Sequence, residues 1–89
     1  MISVAGKWAL ITGASRGLGY LSAIAMAQQG CNLILHSRKI AHCDKVKAAA
    51  EALGVEVICM AAEFSNHNEV IQMLDDIDAT GKAIDIVLN

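Results

Sequence analysis

The chain has 89 residues, 55% of them apolar, with seven basic and nine acidic side chains and a formal net charge of −2. Its length allows one small domain, and its charge balance offers neither a basic patch for nucleic acid nor a cationic stretch for an anionic membrane. No apolar run approaches the roughly 18 residues of a membrane-spanning helix, and the N-terminal stretch, with Lys7 set in a short apolar segment, does not read as a signal peptide. The apolar mass is Ala, Val, Ile, Leu and Met, with Trp8, Tyr20 and Phe64 the only aromatic residues and no proline. That composition suits strands covered on both faces. A domain this short buries only about 60–65% of its unfolded surface, so so many apolar residues point to part of a larger core. Cys31, Cys43 and Cys59 are odd in number and form no CxxC, which predicts a reduced, cytoplasmic setting. His36, His42, Cys43 and His67 show no ligand-like spacing, and no metal site is expected.

In chain order, residues 7–11 predict a strand and residues 18–29 a helix, followed by Gly30 and the apolar run 33–35. Residues 40–53 predict a second helix, with Cys43, Val46, Ala50 and Leu53 spaced by three and four. After Gly54 the run VEVICMAA predicts a third strand. Residues 66–80 predict a third helix, with Val70, Leu74 and Ile77 on one face and an Asn66/Glu69 capping box, Ser65 being the other candidate cap. Gly81 precedes AIDIVL, a fourth strand. Each helix ends at a glycine, the residue that closes helices in the left-handed conformation. Strands alternating with helices imply parallel pairing through right-handed crossovers. The predicted fold is therefore α/β: a Rossmann-type doubly wound parallel sheet, β-α-β-α-β-α-β, with strand order 3-2-1-4.

Between the first strand and first helix lies TGASRGLGY, residues 12–20. Gly13, Gly17 and Gly19 sit where glycine is poor for either element, at the carboxyl edge where parallel sheets bind ligands. Side-chain-free backbone leading into a helix N-terminus suits a phosphate or diphosphate. Ser15 and Arg16 add a hydroxyl and a cation. The alternative is a tight connection with glycines for packing alone. A P-loop is excluded, because no Gly-Lys-Ser/Thr follows. The spacing also differs from GxGxxG: the close pair, Gly17 and Gly19, comes at the back.

TGASRGLG resembles the TGxxxGxG turn of the classical short-chain dehydrogenase/reductase family. The likeness extends to the preceding KWALIT and to DIVLN at residues 85–89, which is similar to the strand leading into that family's Asn-Asn-Ala-Gly segment. The resemblance implies a nicotinamide dinucleotide held by Gly13, Ser15, Arg16, Gly17, Leu18 and Gly19. It places Ser37 where NAD-binding members carry an acidic residue. Ser37 is followed by Arg38 and Lys39, and a guanidinium grips a 2′-phosphate that a carboxylate would repel. NADP(H) is therefore expected over NAD(H), with Arg38 the 2′-phosphate ligand, Arg16 flanking it and Lys39 an ordinary solvated charge. Glu63 and Phe64 match the family's Asp-apolar pair at the adenine, and Asn89 matches the first Asn, beside the adenosine ribose. Leu21 and Ser22 depart from the family, being large and polar where helix and sheet approach closely.

The family's catalytic Tyr-Lys pair at YxxxK spacing, with its Ser and Asn, has no match here. Tyr20 is the only tyrosine and Ile24 lies four residues on, so no catalytic residue is assigned. The reading is a partial dinucleotide-binding domain, residues 1–89, forming the N-terminal part of a cytoplasmic NADP-dependent oxidoreductase. The full-length protein would act on a small carbonyl or alcohol substrate, and as a homo-oligomer. The alternatives are a non-catalytic nucleotide-binding module and an inactive remnant.

Overall fold

A computed structural model describes residues 3–89. The strands are β1 (Trp8–Ile11), β2 (Asn32–Ser37), β3 (Val57–Ala61) and β4 (Ile86–Leu88); the helices are α1 (Gly17–Gln28), α2 (Asp44–Glu51) and α3 (His67–Ala79). One turn of 3₁₀ helix, Ile40–Cys43, leads into α2. The four strands form one parallel sheet in the order β3-β2-β1-β4, which is the predicted order.

Strand periodicity sorts the core into two layers, because successive side chains point to opposite faces. Leu33 and Leu35 of β2, with Ala9 and Ile11 of β1, face α1 and α2, where they meet Ala23, Ala27, Val46 and Ala50. Ile34, between the two leucines, faces the other way and packs with Trp8 and with Met73 and Ile77 of α3. Leu33, Ile34 and Leu35 are all fully buried, each stabilising the fold by about 1.5–3 kcal/mol. The sheet is thus doubly wound, with two helices on one face and one on the other.

The helices closed as expected: Gly30, Gly54 and Gly81 have φ of 83°, 92° and 70°. At α3 the Asn66 side chain accepts from the Glu69 amide at 3.2 Å, so half of the predicted capping box is present. The other half is not, because the Glu69 carboxylate instead accepts from the amide of Glu63 at 3.1 Å. The predicted apolar face of α3 shifts by one residue. Met73 is buried and Leu74 is 50% exposed, since the helix turns Met73 and Ile77, four apart, toward Ile34 and Trp8. Leu53, expected on the buried face of the second helix, is also exposed, as it lies beyond the end of α2. Leu21 causes no crowding; it points to solvent, while Ala23 and Ala27, four apart, bring α1 onto the sheet.

The cysteines correct the sequence reading. Cys43, at the end of the 3₁₀ turn, and Cys59, in β3, form a disulfide with Cα atoms 6.3 Å apart. The expectation of reduced thiols overlooked that the crossover from β2 to β3 lays the start of α2 over β3, within disulfide reach. Cys31 is the free cysteine, buried; burial, and secondarily the charge of Asp85, push its thiol above the ordinary range. Among the described residues no helix is long and apolar enough to cross a membrane.

Candidate functional site

The carboxyl ends of β1, β2 and β3 open onto a cleft of about 920 Å³. Its first wall is the glycine turn. Gly13 and Gly17 have φ of 62° and 63°, a left-handed backbone that costs other residues roughly 1–2 kcal/mol. At Gly19 the requirement is space: a Cβ there would overlap the Gly13 carbonyl oxygen and lie 2.8 Å from its carbonyl carbon. The turn therefore folds back onto the first turn of α1. Its amides are anchored on neighbouring strands, Thr12 to the Leu88 carbonyl at 3.0 Å and Ala14 to the His36 carbonyl at 2.9 Å. The start of α1 carries no side-chain cap and no acidic residue in its first turn, which leaves its positive dipole end uncompensated. Gly13, Ser15 and Arg16 line the cleft.

The second wall follows β2. Ser37 is buried and donates its hydroxyl to the Lys39 carbonyl at 2.7 Å, so what it turns toward the cleft is acceptor capacity. Arg38 and Lys39 line the cleft, with His42 of the 3₁₀ turn beyond them. The third wall follows β3 and the start of α3, and is formed by Glu63 and Glu69. Arg38 Nε donates to Glu63 Oε2 at 2.8 Å across the opening, the two side chains 72% and 37% exposed. The Arg38 hydrogen bond, reinforced by its charge and by bonds from Ser65, holds the Glu63 carboxyl below the usual carboxylate range.

Phe64, half exposed, stacks on the His36 ring with centroids 4.1 Å apart. His36 is buried and bonded at both ring nitrogens: Nδ1 accepts from the Gly13 amide at 3.0 Å, and Nε2 faces the Ala62 carbonyl at 2.8 Å. Asn89 lies beside the end of β1, where its side-chain oxygen accepts from the Thr12 hydroxyl at 3.2 Å.

Of the residues singled out in the sequence, Gly13, Ser15, Arg16, Ser37, Arg38 and Glu63 come together around the cleft. Gly17 and Gly19 shape the turn and Leu18 is exposed at its rim; Phe64 stacks on His36 and Asn89 bonds Thr12, and neither lines the cleft. The sequence reading missed His36, His42 and Glu69. Glu69 had been read as half of a cap, a local role, when its carboxylate reaches back to Glu63. Lys39, read as a solvated charge, is exposed and also lines the cleft. The signal for it was its place beside Arg38.

The family model for short chain dehydrogenase matches residues 7–89. The chain belongs to this family. Short-chain dehydrogenases are oxidoreductases that bind nicotinamide dinucleotides, and this segment corresponds to their nucleotide-binding portion. Versicolorin reductase 1 from Dothistroma septosporum is 34% identical over 83 residues, covering 92% of this chain and 32% of that protein. A metagenomic short-chain oxidoreductase in complex with NADP superposes with a TM-score of 0.88 at 26% identity, covering 97% of this chain and 39% of that one. NAD+-bound xylitol dehydrogenase shares the fold with the same TM-score of 0.88 at 24% identity, over 97% of this chain and 33% of that one. The short-chain dehydrogenase segment described here spans about a third of the length of the curated relatives it matches.

Proposed function

We propose that this segment forms the adenosine half of the cofactor site of an NADP(H)-dependent short-chain reductase acting on a small carbonyl or alcohol. The observation that carries the reading is the cleft's charge. Arg16, Arg38 and Lys39 line it, and no carboxylate stands at the end of β2, where Ser37 takes that place. The donor set fits a phosphorylated dinucleotide. Amides of the glycine turn and the start of α1, with the Ser15 hydroxyl, would receive the diphosphate. Arg38 would hold the 2′-phosphate through paired hydrogen bonds, with Arg16 on its flank. Glu63 and Phe64 would border the adenine, and Asn89 the adenosine ribose. When bound, the nicotinamide carries the hydride; no residue of this segment is assigned the proton transfer, since Tyr20 begins no YxxxK.

Arg38 leaves Glu63 to do this. The exchange favours the ligand, because a 2′-phosphate offers a higher charge and more acceptor oxygens than one carboxylate. The test is titration of the protein with NADPH and NADH. Tighter binding of NADPH is expected, and Arg38→Glu should weaken it by about 10- to 100-fold, the worth of charged hydrogen bonds, while NADH binding improves. Equal affinity of the unaltered protein for both cofactors would refute the NADP assignment.

A further inference from the structure

His36 lies outside the lining of the cleft, yet it joins two of its walls. Its carbonyl accepts from the Ala14 amide at 2.9 Å and its Nδ1 accepts from the adjacent Gly13 amide at 3.0 Å. Two consecutive N–H groups of the glycine turn thus end on one residue. On the other side Nε2 lies 2.8 Å from the Ala62 carbonyl, at the exit of β3. A carbonyl only accepts, so Nε2 carries the proton and Nδ1 offers its lone pair. The neutral ring is therefore satisfied at both nitrogens, and Phe64 stacks on its face with an interplanar angle of 10°.

We infer that His36 is a positioning residue for cofactor binding, an imidazole clamp that sets the glycine turn against the exit of β3. This inference rests on the proposed dinucleotide site. Its physical content is that the Nδ1 lone pair is the acceptor for the Gly13 N–H. Removing that acceptor releases the front of the diphosphate turn while leaving the bond to Ala62 in place.

The two ring bonds can be separated by substitution in the full-length protein. In His36→Asn the side-chain oxygen takes the place of Nδ1 and keeps the Gly13 bond. In His36→Gln the amide nitrogen takes the place of Nε2 and keeps only the Ala62 bond. His36→Phe keeps the stack on Phe64 alone. NADPH affinity is expected to fall roughly three- to tenfold in His36→Gln and His36→Phe, the worth of one hydrogen bond, and to be largely rescued in His36→Asn. Hydrogen exchange at the Gly13 amide reads the clamp without cofactor: its protection factor should drop in His36→Gln and hold in His36→Asn. Gly13 protection that is the same in His36→Gln as in the unaltered protein overturns the clamp, as do equal NADPH affinities for His36→Asn and His36→Gln. Failure of the unaltered protein to bind NADPH, with Gly13 protection behaving as expected, overturns the cofactor site instead.

Discussion

Gly19→Ala puts the glycine turn to its most direct test. The added Cβ would overlap the Gly13 carbonyl oxygen, with the carbonyl carbon at 2.8 Å and Ala14 Cα at 3.1 Å. Carbon atoms pack at about 3.5–4.0 Å, so the turn must retreat from α1 by roughly 1 Å. Nothing there is a flexible side-chain end: the obstructing atoms are backbone, Ala14 is fully buried, and the Gly13 and Ala14 amides are bonded to His36. Overpacking costs about 1–3 kcal/mol, and loosening the two His36 bonds adds about 0.5–1.5 kcal/mol each. The expected loss is about 2–6 kcal/mol, a large share of the roughly 5–15 kcal/mol that holds a domain together. Gly17→Ala is the control. Its Cβ would meet nothing within 4 Å, and only the φ of 63° opposes it, at about 1–2 kcal/mol. Urea denaturation of both variants measures the difference, and NADPH titration should show the larger loss in Gly19→Ala. A Gly19→Ala protein no less stable than Gly17→Ala would refute the close-approach argument.

Glu63→Gln frees Arg38 from its carboxylate partner and is expected to tighten NADPH binding, read by the same titration, with little change in melting temperature because the pair is exposed. The carboxyl of Glu63 is depressed, so the stabilisation from its pairing is present above the ordinary carboxylate range. It disappears as pH falls through the lower folded-state value; a stability profile of the unaltered protein should show a small acid-side loss that Glu63→Gln reduces. The Cys43–Cys59 bridge spans 16 residues, worth about 3 kcal/mol in the loop-entropy account. Dithiothreitol should lower the melting temperature of the unaltered protein and leave Cys59→Ser unaffected; an unchanged melting temperature would show that no bridge forms.

Much of the fold was legible because its signals are local. Glycines after each helix, apolar strands at regular intervals and a four-residue periodicity in the helices need only neighbouring residues to act, and they sufficed for the strand order. The same locality explains the glycine turn, where residue type alone announces left-handed backbone and close approach. Errors gathered where a local rule allowed two outcomes. Leu74 and Met73 are adjacent on α3, and which one is buried depends on how the helix is rotated over Ile34 and Trp8.

By itself, then, the chain's order of residues determined a doubly wound parallel sheet with a phosphate-suited turn at its carboxyl edge and cations following β2. Only the tertiary structure decided that Arg38 would meet Glu63, 25 residues away, that Glu69 would bond the amide of Glu63 rather than complete its own cap, and that Cys43 would reach Cys59. It alone made His36 the link between Gly13 and Ala62. The reason is that hydrogen-bonding pattern and periodicity are properties of short segments, whereas side-chain partners across a cleft are set by sheet register, which aligns Ser37 with Ala61 and so brings the ends of separate strands to one edge.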